Sequence, residues 1–283
     1  MSKHLPPVRA CIFDVDGTLI NSEDIYTDIY NNILREYGRP DYPWNVKATQ
    51  QSRGSSGTKR LLDWAQVPLT PVEWAAKEKQ GTHLFKNSSI LPGVDDLLTT
   101  LKTKTSPRVL LSLASSAGHH KFALKTSHIP VINHAFDDPA FHIFGDDPEM
   151  SDSRKKPEPD IFLLALKRLN SAETARGERA LSPEECLVFE DSIAGVEAAR
   201  RAGMRVIWVP HPGLAEWQLL FLIITFGSPR NRIIVVLVNH PALTFRISDN
   251  CTTAELGNLG LEITGTKNRY KVVIVVVNHL ALL

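Results

Sequence analysis

The sequence is poor in the features that mark several large classes of protein. No stretch of it approaches the roughly 18 apolar residues in a row that a transmembrane helix needs, and the opening segment MSKHLPPVRA lacks the apolar centre of a secretory leader. Cysteine is scarce: Cys11, Cys186 and Cys251 are odd in number and far apart, which excludes a disulfide framework and suits a reducing compartment. An excess of one charge is missing too. With 32 Lys and Arg against 31 Asp and Glu, the formal charge of +1 leaves no basic footprint for a nucleic-acid polymer. These absences point to a cytoplasmic enzyme or binding protein that does not engage membranes and is expected to be a monomer. Its 283 residues, 43% of them hydrophobic, suffice for one large domain or a domain with a smaller companion.

Residues 11–25 read CIFDVDGTLINSEDI, an apolar run that ends in two aspartates one residue apart. Two carboxylates so close repel each other, and burying either is costly unless positive charge sits beside it. A strand period of two puts Asp14 and Asp16 on the same side of the chain.

Further apolar runs with little alternation occur at Arg108 to Ala114, Cys186 to Glu190 and Arg205 to Val209, with a first one at Val8 to Asp14 and a weaker one within Val131 to Phe144. Helical patterns separate them. Strands that are apolar on both faces are covered on both faces, so the pattern predicts an α/β, Rossmann-like, doubly wound parallel sheet. The first two strands are too far apart for one crossover helix. Ile25, Ile29 and Ile33 recur at helical spacing, and TPVE at Thr70 to Glu73 reads as a capping box with proline in the first turn. Residues 22–92 are therefore read as a small all-helical insertion, with 1–21 and 93–217 forming the sheet domain. Asp160 is expected to cap the following helix, and Gly203 to end the helix that finishes near Ala202. Residues 218–283 form an atypical tail in which two segments align at a constant offset of 39 residues, each with an apolar run able to add an edge strand.

In open α/β sheets ligands bind beyond the carboxyl ends of the strands. At that edge the sequence places Asp14 and Asp16, then Ser115 and Ser116 of LASS, then Glu190 and Asp191 of FED, with Lys155 or Lys156 of KKPEPD just ahead of a helix. Carboxylates from two strand ends make a hard oxygen site suited to Mg²⁺, which takes one or two protein carboxylates and keeps waters or substrate phosphate oxygens. A lysine and a serine hydroxyl suit the remaining phosphate oxygens, and Gly17 lets backbone N–H groups approach them.

These four segments, DVDGTL, LASS, KPEPD and FEDSIAGVEAARRAGM, resemble the motifs of the haloacid dehalogenase-like hydrolase superfamily, in its phosphatase branch with a helical cap after the first strand. The resemblance spans about residues 8–212. It implies a Mg²⁺-dependent phosphomonoesterase acting on a small phosphorylated metabolite. Asp14 would be the nucleophile that forms an aspartyl-phosphate, and Asp16 the general acid and base. Ser115 and Lys156 match the phosphate-binding positions. Metal would be held by Asp14, Asp191, the backbone carbonyl of Asp16 and, assisting, Glu190. Within the family, WNVKA, LKTS, GDDPE and KPEPDIFLLALKR look like pseudouridine-5′-phosphatase-type members.

The loop QQSRGSSGTKR at Gln50 to Arg60 suits a flap over the site, and with Ser116 and Gly17 its Arg53 and Lys59 are candidate substrate contacts. The neighbouring His119 and His120, and the repeat residues His240 and His279, lack the spacing of metal ligands. Three other functions stay open: a sugar phosphomutase similar to β-phosphoglucomutase, a polyol or sugar phosphate phosphatase, and a receiver-like signalling domain.

Overall fold

The computed structural model describes residues 6–150, 154–215 and four short strands beyond them. Its centre is a parallel sheet of β1 (Ala10–Phe13), β2 (Leu110–Ser115), β3 (His142–Phe144), β4 (Cys186–Glu190) and β5 (Arg205–Trp208), in the order β3-β2-β1-β4-β5. This is the expected Rossmann-like arrangement. β1 lies between β2 and β4, with Ala10 opposite both Leu110 and Cys186. The chain thus winds away in opposite directions from β1, which opens a crevice at its carboxyl end.

Alternation along β1 explains its composition. Ala10 and Ile12 enter one apolar core with Phe162, Leu169, Val188 and Trp208, while Cys11 and Phe13 enter the other with Leu98, Leu101 and Phe189. Burial pushes the Cys186 thiol up to about 12 and Cys11 higher still, so both act as small hydrophobes.

Between β1 and β2 the chain forms α1 (Ser22–Glu36), α2 (Trp44–Gln50), α3 (Ser55–Ala65) and α4 (Pro71–Gly81), then a 3₁₀ turn at Thr82–Asn87 before α5 (Val94–Thr103) returns to the sheet. The isoleucines at helical spacing in α1 pack with Leu61, Trp74 and Phe85 into a separate apolar core, so these helices form a cap. The capping box is made: Glu73 N–H donates to Thr70 Oγ1 at 3.2 Å, and Thr70 N–H to Glu73 Oε2 at 2.7 Å. The two connections to the sheet are tied to each other. Asn21 N–H donates to the Ser89 carbonyl at 3.0 Å, Ser89 N–H to Asn21 Oδ1 at 2.9 Å, and Ile20 bridges Ile90.

The helices α6 (His119–Thr126), α7 (Pro130–Ala135), α8 (Asp160–Ala175) and α9 (Ile193–Arg201) complete the sheet domain. Gly203 follows α9 with φ +76°, as a helix-ending glycine does. The expected cap at Asp160 is not made. Pro159 already has helical φ and ψ, so Asp160 is the first helical residue, and its carboxylate pairs with Arg154 Nε at 2.6 Å.

In the tail, β6 (Ile233–Val236) pairs parallel with β5, β7 (Arg246–Ile247) pairs with β8 (Leu261–Glu262), and β9 (Ile274–Val276) lies antiparallel to β6. The apolar runs of the two repeat copies thus lie side by side at the sheet edge. The rest of the repeat, with His240 and His279, and also Cys251, lies outside the described residues. Among the described residues no helix is long and apolar enough to cross a membrane.

Phe13 stacks on Phe189 with ring centroids 4.4 Å apart, joining β1 to β4 directly beneath Asp14. Phe13→Ala is expected to cost about 3–5 kcal/mol, against about 1 kcal/mol for Thr70→Ala at the cap helix end. Urea denaturation of the two variants measures the contrast, and similar losses would contradict this account of the core.

Candidate active site

The chain leaves β1 at Asp14, whose N–H still donates to the Phe189 carbonyl at 3.0 Å, and then folds into a tight loop in which Leu19 N–H donates to the Val15 carbonyl at 2.9 Å. Gly17 lies in this loop at φ +75°, a conformation that other residues rarely adopt. A Cβ there would also overlap the Asp191 carboxylate and sit 2.8 Å from Glu23 Cγ. Glycine is what lets the loop lie against both acids.

The expected positive charge beside Asp14 is Lys156. Its Nζ is fully buried and donates to Asp14 Oδ1 at 2.5 Å, Glu190 Oε1 at 2.6 Å and the Ala114 carbonyl at 3.1 Å. Between the two lysines left open by the sequence, the structure therefore brings Lys156 to the site and turns Lys155 to the Gly145 carbonyl. Burial opposes the Lys156 charge, but Asp14 and Glu190 outweigh it and hold the ammonium above its ordinary range. Burial, together with Glu190 and Asp16, pushes Asp14 up to about 8 against the pull of Lys156.

Asp16 is held differently. Its Oδ1 accepts from Lys125 Nζ at 2.5 Å and from Ser22 Oγ at 2.5 Å. Lys125 is buried, donates also to Tyr26 Oη at 3.0 Å, and lies over the rings of Tyr26 and Phe85 at 4.6 and 4.8 Å. Burial would raise the Asp16 carboxyl, yet Lys125 and Ser22 bring it below the usual range. A third buried lysine, Lys47 of α2, pairs with Glu23 Oε2 at 2.8 Å and stands 4.5 Å over the Trp44 ring. Sequence reasoning missed Lys125, Lys47 and Glu23. Lys125 stands in the quoted LKTS segment, but nothing in its spacing shows that the side chain turns inward.

The other expected residues divide. Ser115 is buried and its Oγ accepts from Ala117 N–H at 3.2 Å, whereas Ser116 faces the cleft. Arg53 lines the cleft, with a buried Nε that has no partner, and burial lowers its guanidinium from the ordinary value. Lys59 is not brought to the site: it is exposed and pairs with Asp63 one helical turn away at 2.7 Å. Glu190, expected to assist with metal, is occupied by Lys156 on one oxygen and by Ser192 N–H at 2.8 Å on the other. Asp191 is buried at the end of the same strand, and burial, then Glu23, Glu190 and Asp14, raise its carboxyl well above the usual range.

Together these groups show what cation they suit. Asp14, Asp16, Glu23, Glu190 and Asp191 face three buried ammonium groups, those of Lys47, Lys125 and Lys156, so full ionisation leaves two negative charges uncompensated. Burial is the main cause of the upward displacement of Asp14 and Asp191, and the neighbouring carboxylates add to it. A divalent, oxygen-seeking cation fits the excess in charge and donor type. Among the described residues no three acidic, histidine or cysteine side chains close into a ready cage, and Mg²⁺ needs only one or two carboxylates. Asp14 and Asp191 are the residues that would hold it.

Beyond Asp14 and Asp16 opens a cleft of about 280 Å³ between sheet domain and cap, lined among others by Tyr26, Arg53, Glu78, Ser116 and Lys121. Lys121 of α6 reaches across it to Glu78 of α4 at 2.5 Å.

The family model described as haloacid dehalogenase-like hydrolase matches residues 8–203. A Saccharomyces cerevisiae protein named probable pseudouridine-5′-phosphatase is 40% identical over 216 residues, covering 74% of this chain and 85% of that protein. The mitochondrial (DL)-glycerol-3-phosphatase 1 of Arabidopsis thaliana is 32% identical, over 70% of this chain and 63% of its own. Among solved structures, a putative β-phosphoglucomutase from Thermotoga maritima superposes with a TM-score of 0.51 at 28% identity, covering 74% of this chain and 91% of the other.

Removing the Lys156 charge strands two buried carboxylates. Lys156→Met is expected to lose about 3–5 kcal/mol of stability, and the double variant Lys156→Met/Asp14→Asn to recover part of it. A double-mutant cycle by urea denaturation tests this, and additive losses would deny the coupling.

Proposed function

Because this chain belongs to the haloacid dehalogenase-like hydrolase family and is a phosphatase, we propose that it hydrolyses a small phosphomonoester through an aspartyl-phosphate on Asp14, with Mg²⁺ as cofactor. The observation that carries this reading is that Asp14 and Asp16 stand at the mouth of one cleft, each held by its own buried lysine. In the metal-free protein the two settings run against these roles, Asp14 being raised and Asp16 lowered, so the reading requires a bound cation to ionise Asp14 and the substrate phosphate beside Asp16 to raise its carboxyl.

In the first half-reaction an Asp14 oxygen attacks phosphorus and the ester P–O bond breaks. The leaving oxygen takes its proton from Asp16, whose Oδ1 is fixed by Lys125 and Ser22 and whose Oδ2 is left to carry the proton. In the second, Asp16 removes a proton from water, which attacks the same phosphorus and releases phosphate and Asp14. Splitting the displacement this way replaces one difficult step by two easier ones. Lys156 orients Asp14, and Arg53 and Ser116 supply donors from the cleft wall to the phosphoryl oxygens. A bound Mg²⁺ supplies the positive charge that the phosphoryl oxygens and the excess carboxylates require.

In this reading the sheet domain, 1–21 and 93–217, performs the chemistry and the cap, 22–92, selects the leaving group. The polar wall of Glu78, Lys121 and the two tyrosines Tyr26 and Tyr30 suits a hydroxylated or hydrogen-bonding alcohol. Pseudouridine 5′-phosphate is the first substrate proposed, supported by the 40% identity to the yeast relative and by the resemblance through both cap and sheet domain. Glycerol phosphate is the second, favoured by the 32% identity to the Arabidopsis relative. A mutase with the same residues would instead require a bisphosphate primer.

Asp14→Asn is expected to keep the fold and lose at least about 1,000-fold in turnover, and excess chelator to abolish activity until Mg²⁺ is restored. Undiminished phosphate release in either case would overturn the mechanism. A phosphate-release screen should give the highest kcat/KM for pseudouridine 5′-phosphate. A value no better than that for uridine monophosphate or glycerol phosphate would reject that substrate and leave the phosphatase reading intact.

A further inference from the structure

The loop between α2 and α3 sets two consecutive cap residues, Gln51 and Ser52, against the sheet domain. Ser52 has φ +61°, a conformation uncommon outside glycine and costly enough to persist only where surroundings impose it. Those surroundings are on the sheet side. The Ser52 carbonyl accepts from Ser116 Oγ at 3.4 Å, and the Ser52 and Ser192 hydroxyls are hydrogen-bonded at 3.2 Å. The neighbouring Gln51 is only 5% exposed, despite its polar side chain. Its Nε2 donates to Asp191 Oδ2 at 3.1 Å.

With a cation bound, Asp191 is ionised and can only accept, so in that state the amide turns its nitrogen to Asp191 and its oxygen elsewhere. That oxygen, Oε1, is buried and has no partner. A buried acceptor left unsatisfied is unfavourable, and a donor arriving in the site removes that penalty. Asp191 is itself wedged in place: it touches the face of Gly17 where a Cβ would be, and Gln51 meets it from the cap.

We propose that Gln51 is a positioning residue of the metal site, supplied by the cap: Nε2 fixes the Asp191 carboxylate, and Oε1 accepts from the water donors that a hydrated divalent cation brings. The inference rests on reading Asp191 as a metal ligand. Groups that orient metal ligands from behind typically change affinity by about 10–100-fold when removed. Gln51 differs from the usual case in its origin, because it belongs to the cap and not to the fold that carries the ligand. Metal binding and docking of the 50–54 loop then favour each other.

The test is Mn²⁺ binding to the full chain, followed by electron paramagnetic resonance as a stand-in for Mg²⁺, alongside thermal unfolding of the metal-free proteins. Gln51→Leu should weaken Mn²⁺ about 10–100-fold while leaving metal-free unfolding nearly unchanged. Gln51→Asn, which keeps the amide but shortens its reach, should weaken it similarly and serves in place of Gln51→Leu if that variant does not fold. Asp191→Asn is the control. If it loses Mn²⁺ while the Gln51 variants bind like the wild type, the role of Gln51 is overturned and the metal site stands. If Asp191→Asn itself binds Mn²⁺ normally, the ligand reading fails and the inference with it.

Discussion

The contact on which the rest of the site depends is the buried ammonium of Lys156 between Asp14 and Glu190. It draws together the ends of three strands, since its third bond goes to the Ala114 carbonyl of β2. Glu190 in turn accepts from Ser192 N–H, and the Ser192 hydroxyl accepts from Gly195 N–H at 3.0 Å to start α9. Gly195 is required because a Cβ there would occupy the space of the Glu190 carboxylate. One lysine thus accounts for the spacing of FEDSIAG as well as for the tolerance of Asp14 in the core. A buried ion pair of this kind is a weak source of stability, because desolvation consumes most of its Coulombic gain. Its value lies in holding the Asp14 carboxylate in one orientation.

The parts of this arrangement that the sequence made legible are those carried by local spacing. The aspartate pair after an apolar run, the strand-end positions of LASS and FED, the capping box at Thr70 and the isoleucine stripe of α1 each express a geometry that a few consecutive residues determine. Lys125 and Lys47 were illegible for the opposite reason. A lysine has a long flexible stem, so the place of its ammonium is decided by which apolar and aromatic surfaces the stem crosses, and those come from distant segments: Tyr26 and Phe85 for Lys125, Trp44 and α1 for Lys47. Lys59 and Arg53 show the same limit within one loop. They are six residues apart in an equally basic stretch, yet the turn at Ser52 and Gly54 directs one toward the cleft while helix α3 carries the other out to Asp63.

Asp160 and Glu190 illustrate competition between two sound local readings. Asp160 has the residue type of a helix cap, but the proline before it already has helical geometry and takes the position. Glu190 has the type of a metal ligand, but the lysine and the helix start claim both its oxygens. In both cases a neighbour with a stiffer or stronger preference decides, and residue type alone does not rank such preferences.

The paired connections at Asn21 and Ser89 mean that the chain enters and leaves the cap through a single neck, closed on itself by hydrogen bonds. The sheet therefore presents the cap as a graft presents a scion: its two ends lie side by side, and the strand order around β1 does not depend on what is inserted between them. The cap helices can thus change in length or packing without disturbing the strand ends, because the neck passes to the sheet only the position of its own two ends.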